Sequence, residues 1–358
     1  MLIFGLISGC AFVAPETSRR AMSWEELPGW TEDAHAKTLP VFLRSCEKLR
    51  GAWDAPCAAA KLLPENISDI AARRFFENHF SPVQLLNENG NDEGLITGYY
   101  EPLLEGAVAR SETFRYPVYA RPAGLLRVEL GALYPELQNK RVRGRINNGA
   151  VAPYYSRAEI DGANAPLAGE ELLWVDDKAA LFFLHIQGSG LVRLRDGRIV
   201  GVGYQDQNGH PYRSIGRILI ERGEMRREDV NLFSLKKWLR DNPHRAGNLL
   251  NENPSYVFFT RRDDINFGPR GSLGVPLTPE RSLAADTKAV PPGAPVWLST
   301  VMPDDGKTPL RRLMFAQDTG GAIAGNVRAD FFWGRGARAE KMAGLMKTRG
   351  KLFILLPR

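Results

Sequence analysis

The sequence predicts a mainly β protein, a barrel or a sandwich, with helices concentrated near its N-terminus. Many short β-like runs follow Gly94, separated by Gly, Pro, Asn and Asp. Examples are LITGYYEPLLEGA, FRYPVYARP, LLWVDDKAALFFLHIQGSGLVRL, SYVFFTRR and KLFILLPR. Such spacing favours barrels and sandwiches over alternating βαβ units. With 358 residues, the chain is long enough for two domains or for one domain with a large insertion.

The N-terminus carries a candidate export signal. MLIFGLISGCAFV is too short to span a bilayer but long enough for the apolar part of a signal peptide. LISGC resembles the lipobox of bacterial lipoproteins, in which the cysteine is lipidated. We predict a lipoprotein signal over residues 1–9, then a lipidated Cys10 and a polar tether over residues 10–27. The alternative is an apolar N-terminal strand. The residue after Cys10 is not Asp, and in this the segment resembles lipoproteins that are sorted to the outer membrane.

Two helices are predicted after the tether, in LPVFLRSCEKLRG and in NISDIAARRFFENHFSP. In the second helix we expect Ser68 to be the N-cap and Ile70, Phe76 and Phe80 to point inward. One further helical patch is expected at SLKKWLR, residues 234–240.

Three cysteines and five histidines limit the metal and redox chemistry. If Cys10 is lipidated, Cys46 and Cys57 remain as an even pair in an oxidising compartment, which suggests a disulfide. The alternative is two buried thiols. No histidine pair has H-x-x-x-H spacing and none lies beside a C-x-x-C, so we expect no metal and no cofactor.

The charge and the remaining motifs exclude several functions. The formal net charge is +6, but the basic residues are dispersed, and a solvated loop accounts for KRVRGR, the densest basic run. We therefore expect no nucleic-acid partner. GGAIAG, GSGLVR and GVGYQD each break the G-x-G-x-x-G pattern. Ser189 lacks the first glycine of the G-x-S-x-G elbow of serine hydrolases.

The segment AQDTGGAIAGNVRADFFWG suggests glycan chemistry. Sugars stack on aromatic rings, and cleavage of a glycosidic bond needs a carboxylic acid that stays protonated near neutral pH. Burial against apolar groups raises a carboxyl pKa in this way, and Asp330 leads directly into Phe331, Phe332 and Trp333. The alternative is a turn aspartate before a core strand.

Several motifs resemble one known family. Asp286 in RSLAADTKAVPPGAPVWL, with Asp318 and Asp330 in AQDTGGAIAGNVRADFFWG, resembles the three aspartates of the 3D domain, a double-psi β-barrel. Upstream, the chain resembles the membrane-bound lytic murein transglycosylase A family. The motifs that carry this resemblance are, in order, ITGYYEPLLEGA, APYYSRAEI, LLWVDDKAALFFLHIQGSGLV, GYQDQNGHPYRSIG and NPSYVFF.

The resemblance implies a domain organisation. Residues 28–107 and 253–358 would form a helical lead-in and a 3D-type double-psi β-barrel, the catalytic domain. Residues 108–252 would form an inserted β-rich domain that supplies the other wall of a glycan groove.

The resemblance also implies site residues. Asp330 matches the lone catalytic acid-base, Asp318 a supporting aspartate and Asp286 a structural one. The groove-lining residues would be Thr97, Gly98, Tyr99, Tyr100, Glu101, Gln187, Gly188, Ser189 and Gly190. Tyr99, Tyr100 and Trp333 are expected to stack on sugar rings, and Arg157 to meet lactyl or stem-peptide carboxylates.

The implied activity is lytic transglycosylation in cell-wall turnover and remodelling. The enzyme would cleave the β-1,4 bond between N-acetylmuramic acid and N-acetylglucosamine and leave 1,6-anhydromuramoyl ends. Two alternatives stay open: a non-catalytic, expansin-like peptidoglycan-binding lipoprotein, and a hydrolytic muramidase that uses Asp318 as its base. The implied partners are peptidoglycan glycan strands, other cell-wall enzymes, and the outer membrane through a lipid anchor on its periplasmic face.

Overall fold

The computed structural model describes residues 18–138, 140 and 142–358. The predicted signal and Cys10 therefore lie outside the described residues. The α-helices are α1 Leu39–Cys46, α2 Asp54–Lys61, α3 Asp69–His79, α4 Arg157–Ile160, α5 Lys178–Gln187, α6 Ile215–Glu221, α7 Leu232–Asp241, α8 Pro243–Asn251 and α9 Ala337–Leu345. Short 3₁₀ helices lie at Trp24–Glu26, Trp30–Glu32, His35–Thr38, Gly51–Trp53 and Pro135–Leu137.

The strands supply most of the architecture. They are β1 Arg19–Ala21, β2 Phe80–Leu85, β3 Gly94–Glu101, β4 Leu103–Ala107, β5 Tyr116–Tyr119, β6 Leu126–Arg127, β7 Arg143–Asn147, β8 Ala150–Pro153, β9 Glu171–Val175, β10 Ser189–Leu194, β11 Ile199–Gln207, β12 Val257–Arg262, β13 Ser282–Ala285, β14 Pro295–Val301, β15 Pro309–Asp318, β16 Arg328–Arg335 and β17 Lys347–Pro357. They form an eight-stranded sheet, a six-stranded sheet and a three-stranded sheet of β6, β7 and β8. The fold is thus sheet-rich, as predicted.

The largest sheet closes on itself. Its pairings run β14–β15–β13–β16–β3–β17 and return from β17 to β14, which makes a closed six-strand ring. β2 extends the sheet outward from the far end of β17, and β1 extends it from β2. Ring closure removes the exposed edges that an open sheet of the same strands would present.

Alternation along the ring strands creates two hydrophobic cores. One is lined by all six strands and therefore fills the ring; it includes Ile96, Leu283, Val296, Met314, Phe331 and Ile354. The neighbouring positions Trp297, Phe315 and Phe353 point the other way, onto the N-terminal helices. Because successive strand side chains face opposite sides, one sequence run supplies both cores.

The N-terminal helices cover the outside of the ring. The Ser68 side chain accepts a hydrogen bond from the Ala71 backbone and caps α3. Phe76 and Phe80 are fully buried, as predicted, but Ile70 is 59% exposed and does not point inward. Ile70 is only the second residue of α3, where the first turn lies on the solvent side of the helix.

The six-stranded sheet has the strand order β12-β11-β10-β4-β9-β5, and four of its strands come from residues 108–252, the predicted inserted part. This sheet includes Leu103–Ala107 and Val257–Arg262, both of which the sequence analysis had assigned to the barrel domain. β4 pairs in parallel with β10, and β12 pairs with β11, so the crossovers between the two sheets lie at the ends of β3 and β12.

One predicted β run is a helix. Lys178–Gln187 was expected to be β-like but forms α5, whose first turn is capped by Asp177 and whose C-cap, Gly188, is left-handed at φ 76°. The apolar run AALFFLHI is compatible with a buried helix or a buried strand. The flanking Asp177 and Gly188, an N-cap and a C-cap residue, favour the helix. The patch predicted at residues 234–240 is helical, within α7. Among the described helices, none is long and apolar enough to cross a membrane.

Candidate active site

The two candidate aspartates come together through sheet register. Asp330 in β16 lies directly opposite Thr97 in β3 on one side and Ala284 in β13 on the other. Ala284 also lies opposite Asp318, at the end of β15. The two aspartates therefore lie on strands separated by one strand, β13. At the usual strand spacing their Cα atoms are roughly 10 Å apart.

Asp330 is held in a partly buried position with one strong partner. The Thr97 hydroxyl donates to its Oδ1 at 2.7 Å. Burial raises the pKa of the Asp330 carboxyl from 3.8 to about 6, and the neighbouring Asp318 adds to the rise, whereas the Arg328 charge and the Thr97 hydrogen bond oppose it. A carboxyl with this pKa keeps its proton in roughly one molecule in ten at pH 7, far more often than an ordinary aspartate, and can act as a general acid.

Asp318 is bound on both oxygens. The Tyr99 hydroxyl donates to Oδ2 at 3.1 Å, and the backbone N–H of Ser272 donates to Oδ1 at 2.9 Å. Burial raises the pKa of Asp318, against the lowering effect of these donors. Asp318 thus ties β3 and the loop after β12 to the end of β15, beside the Asp330 site.

Arg328 belongs to this site, although the sequence analysis did not single it out. Its guanidinium donates from Nη2 to the Thr97 hydroxyl oxygen at 2.8 Å. Arg328 lies two residues before Asp330 in β16, so alternation puts both side chains on one face of the strand. That spacing was the available signal.

The predicted aromatic platform is wrong. Tyr99, Tyr100 and Trp333 are only 8%, 4% and 3% exposed, so none offers a ring face to a sugar. Tyr99 packs on Phe332 with ring centroids 5.1 Å apart, and Trp333 lies in the ring core with its indole N–H directed at Met346 Sδ, 3.2 Å away. Because these strands are covered on both faces, aromatic side chains that point to either face are buried.

β3 ends in a buried ion cluster. Glu101, 1% exposed, pairs with Arg262 at the end of β12 and with Arg335 at the end of β16, where Nη2 lies 3.2 Å from Oε2. Burial raises the Glu101 pKa despite these two cations. Glu101 therefore joins the two sheets at their crossover rather than facing a groove. Gly98 allows close packing, because a Cβ there would stand 2.7 Å from the Trp333 indole nitrogen.

The predicted turn of the inserted part does reach β3. Gln187 Oε1 accepts a hydrogen bond from the Tyr100 backbone N–H at 3.0 Å. Gly188 ends α5, and Ser189 and Gly190 begin β10, where both are buried. Gln187 and Gly188 stay partly accessible at this junction between the two sheets.

Arg157 does not lie at the Asp330 site. It is 3% exposed, at the start of α4, and its guanidinium donates to the carbonyls of Asn253 and Ser255 and to His185 Nδ1. All three of its nitrogen groups are occupied inside the inserted part, so the predicted contact with substrate carboxylates is wrong. It borders a cavity of ≈540 Å³ that includes neither Asp318 nor Asp330.

Asp286 holds a turn. Its side chain accepts hydrogen bonds from the backbone N–H groups of Lys288 and Gly325, at 3.0 and 2.8 Å. The second bond ties the turn after β13 to the loop that joins β15, which ends at Asp318, to β16, which contains Asp330. Among the described residues, no group of three or more His, Cys, Asp or Glu side chains could hold a metal ion.

Comparisons with known proteins show which family the chain resembles. Residues 95–260 match the MltA specific insert domain, and residues 281–356 match the 3D domain. The chain is 32% identical over 274 residues to the membrane-bound lytic murein transglycosylase A of Vibrio cholerae, covering 74% of this chain and 67% of the relative. It is 31% identical over 268 residues to the Escherichia coli K12 protein of the same name, covering 73% of this chain but only 65% of that relative's length.

Solved structures support the same relationship. The crystal structure of MltA from Neisseria gonorrhoeae in its monoclinic form superposes with a TM-score of 0.81 at 36% identity, covering 96% of this chain and 94% of that one. E. coli MltA with bound chitohexaose superposes with a TM-score of 0.70 at 26% identity, covering 92% and 90%. The chain therefore belongs to the family of membrane-bound lytic murein transglycosylase A.

Proposed function

We propose that this protein is a lytic transglycosylase that cleaves the β-1,4 bond between N-acetylmuramic acid and N-acetylglucosamine in peptidoglycan. The observation that carries the proposal is Asp330, a carboxyl with a pKa of about 6, partly accessible and held by Thr97. The relatives named above, and the chitohexaose bound by one of them, support a glycan substrate.

The chemistry needs one carboxyl group that works twice. Asp330 donates its proton to the glycosidic oxygen as the C1–O bond breaks, and the 2-acetamido group can assist the developing oxocarbenium centre. The Asp330 carboxylate then takes the proton of the C6 hydroxyl while that oxygen bonds to C1. The products are a free 4-hydroxyl and a 1,6-anhydromuramoyl end, and no water is consumed. Hydrolytic glycosidases generally use a second carboxylate as base or nucleophile.

The surroundings of Asp318 favour this one-acid route over hydrolysis. Both Asp318 oxygens already accept hydrogen bonds, from Tyr99 and from Ser272. By contrast, Asp330 Oδ2 accepts no hydrogen bond from the part of the chain that the structure describes, so it is free for substrate. Asp318 is proposed to support the site by fixing Tyr99 beside it.

We also propose the finer architecture that the resemblance implies. The closed six-strand ring is the topology expected of a double-psi β-barrel, and with the N-terminal helices it would be the catalytic domain. The sheet of the inserted part would form the opposite groove wall. In place of the buried rings, Tyr204 is proposed to face the glycan: it is 44% exposed, and its Cβ lies 3.9 Å from where a Cβ of Gly188 would stand.

The mass of the reaction products tests the activity. Purified sacculi would be digested with the wild type, Asp330→Asn and Asp304→Asn, the last an exposed loop carboxylate as control. We expect anhydromuramoyl products, lighter by one water than hydrolytic ones, from the wild type and from Asp304→Asn, and none above background from Asp330→Asn. Reducing ends would show a hydrolase, and binding without cleavage would show an expansin-like protein.

The membrane anchor is a separate proposal that rests on LISGC. Cys10→Ala is expected to move the protein from the membrane to the soluble periplasmic fraction while keeping activity on purified sacculi. Wild-type protein that is already soluble and carries no acyl mass would contradict the lipoprotein assignment.

A further inference from the structure

Arg328 is a partly buried cation beside the acid. Its Nη1 donates to the carbonyls of Leu95 and Ala329, and its Nη2 donates to the Thr97 hydroxyl oxygen at 2.8 Å. Within the described residues, no carboxylate forms a salt bridge with it. Both backbone contacts lie on the paired strands β3 and β16, so the guanidinium is fixed across the strand pair that carries Thr97 and Asp330.

This contact fixes the direction of the Thr97 hydroxyl. A guanidinium only donates hydrogen bonds, so the Thr97 oxygen must accept from Arg328. The one hydroxyl hydrogen of Thr97 is then left for Asp330 Oδ1, 2.7 Å away. Oδ1 is held as an acceptor, and the carboxyl proton belongs on Oδ2, the oxygen without a partner among the described residues.

We propose that Arg328 is a positioning residue that, through Thr97, reserves Oδ1 of Asp330 as an acceptor and leaves Oδ2 to give and take the proton. The inference rests on the proposed function and deepens it. If the Thr97 hydroxyl accepted a hydrogen bond from Asp330 instead of donating one, the carboxyl proton would lie on Oδ1. Oδ1 faces Thr97 on the neighbouring strand and not the proposed substrate.

The charge of Arg328 adds a second effect. The charged or titratable groups that face Asp330 are Arg328 on its own strand, Tyr99 on β3 and Asp318 at the end of β15, while β13 contributes Ala284. Of these, Arg328 alone favours the Asp330 carboxylate by its charge. It therefore stabilises the state that must accept the C6 hydroxyl proton. Its removal should raise the Asp330 pKa.

The test compares Arg328→Met, Arg328→Lys, Thr97→Val and the double variant Thr97→Val with Arg328→Met. The rate of release of anhydromuramoyl products is measured across pH. For Arg328→Met we expect the alkaline limb to move up by about one pH unit, the low end for loss of a neighbouring opposite charge. Arg328→Lys keeps the charge and should leave that limb near the wild-type position. Arg349→Met is the matched control, because Arg349 lies on β17 and donates to the Glu93 carbonyl instead.

The Thr97 contact is tested by non-additivity. Loss of a hydrogen bond to a charged group should slow each single variant by about 10- to 100-fold at its optimum pH. Because Arg328 acts partly through Thr97, the double variant should lose much less than the product of the two single losses. Losses that multiply, or an alkaline limb that does not move in Arg328→Met, would overturn the proposal.

A readout without turnover separates this inference from the proposed function. The carboxyl ¹³C resonance of Asp330 can be titrated in the resting protein with and without Arg328→Met. The same upward shift of the Asp330 titration is expected even if the wild type releases no anhydromuramoyl product, in which case only the proposed function fails. An unshifted titration would refute the role of Arg328, whatever the products are.

Discussion

Replacing the acid should make the protein more stable while abolishing its activity. Asp330 has a pKa of about 6 in the folded protein, against an ordinary value of 3.8. Between these two values the folded state keeps a proton that the unfolded chain releases, so the free energy of unfolding falls as the pH rises through this window. Two pKa units at 1.36 kcal/mol each give a cost of up to about 3 kcal/mol above pH 7. Asp330→Asn cannot ionise and should escape this cost.

The assay is urea unfolding of the wild type and Asp330→Asn at several pH values from 4 to 8. We expect nearly equal stability close to pH 4 and a gap in favour of Asp330→Asn that grows through pH 6 and then levels off. Asp304→Asn, at an exposed turn, should change the stability by less than about 0.5 kcal/mol. A gap that does not depend on pH, or a wild type more stable than Asp330→Asn at pH 7.5, would refute the argument that burial sets this pKa.

Three further predictions follow from contacts described above. Asp318→Asn should lower activity less than Asp330→Asn does. Its pH–rate profile should move to lower pH, because the like charge that raises the Asp330 pKa is removed. A loss as complete as that of Asp330→Asn would indicate direct catalysis by Asp318. Cys46 and Cys57 are disulfide-bonded across 11 positions, so denatured, unreduced protein should show neither thiol, and reduction should cost about 2–3 kcal/mol; two reactive thiols would contradict this. Glu101→Gln should destabilise the protein by about 3 kcal/mol in urea unfolding, because Arg262 would lose its buried counter-charge; an unchanged unfolding midpoint would show that the pair contributes nothing.

The sequence predicted the surroundings of the Asp330 carboxyl better than those of the other candidate residues. Asp330 next to apolar residues was enough to predict a raised carboxyl pKa, since the cause is local burial. The Thr97 hydroxyl that donates to Asp330 Oδ1 lies 233 positions away in the sequence, and no local pattern predicts the strand register that brings the two residues together. The spacing of two residues places Arg328 on the same face of β16 as Asp330, but its contact with Thr97 depends on the same unpredicted register.

The errors share one physical cause. Aromatic residues next to a candidate acid predict a platform for sugar rings at Tyr100 and Trp333. However, a strand of a closed ring with helices outside is covered on both faces, so these side chains are buried. Period-two alternation cannot distinguish an inner face from a solvent groove. Arg157 was misread similarly: a lone arginine in a polar segment gives no sign that backbone carbonyls will occupy it.

The closed ring also dictates when during synthesis this protein can become active. β3 must wait for β16 and β17, which are made after the whole inserted part, and β17 at Lys347–Pro357 is the strand that joins β3 back to β14. The inserted sheet, apart from β4, is contiguous from β5 to β12 and can form earlier on the emerging chain. A chain halted before Lys347 would hold every site residue named above but no closed ring to align them. The proposed activity on peptidoglycan would therefore be absent until β17 has been synthesised.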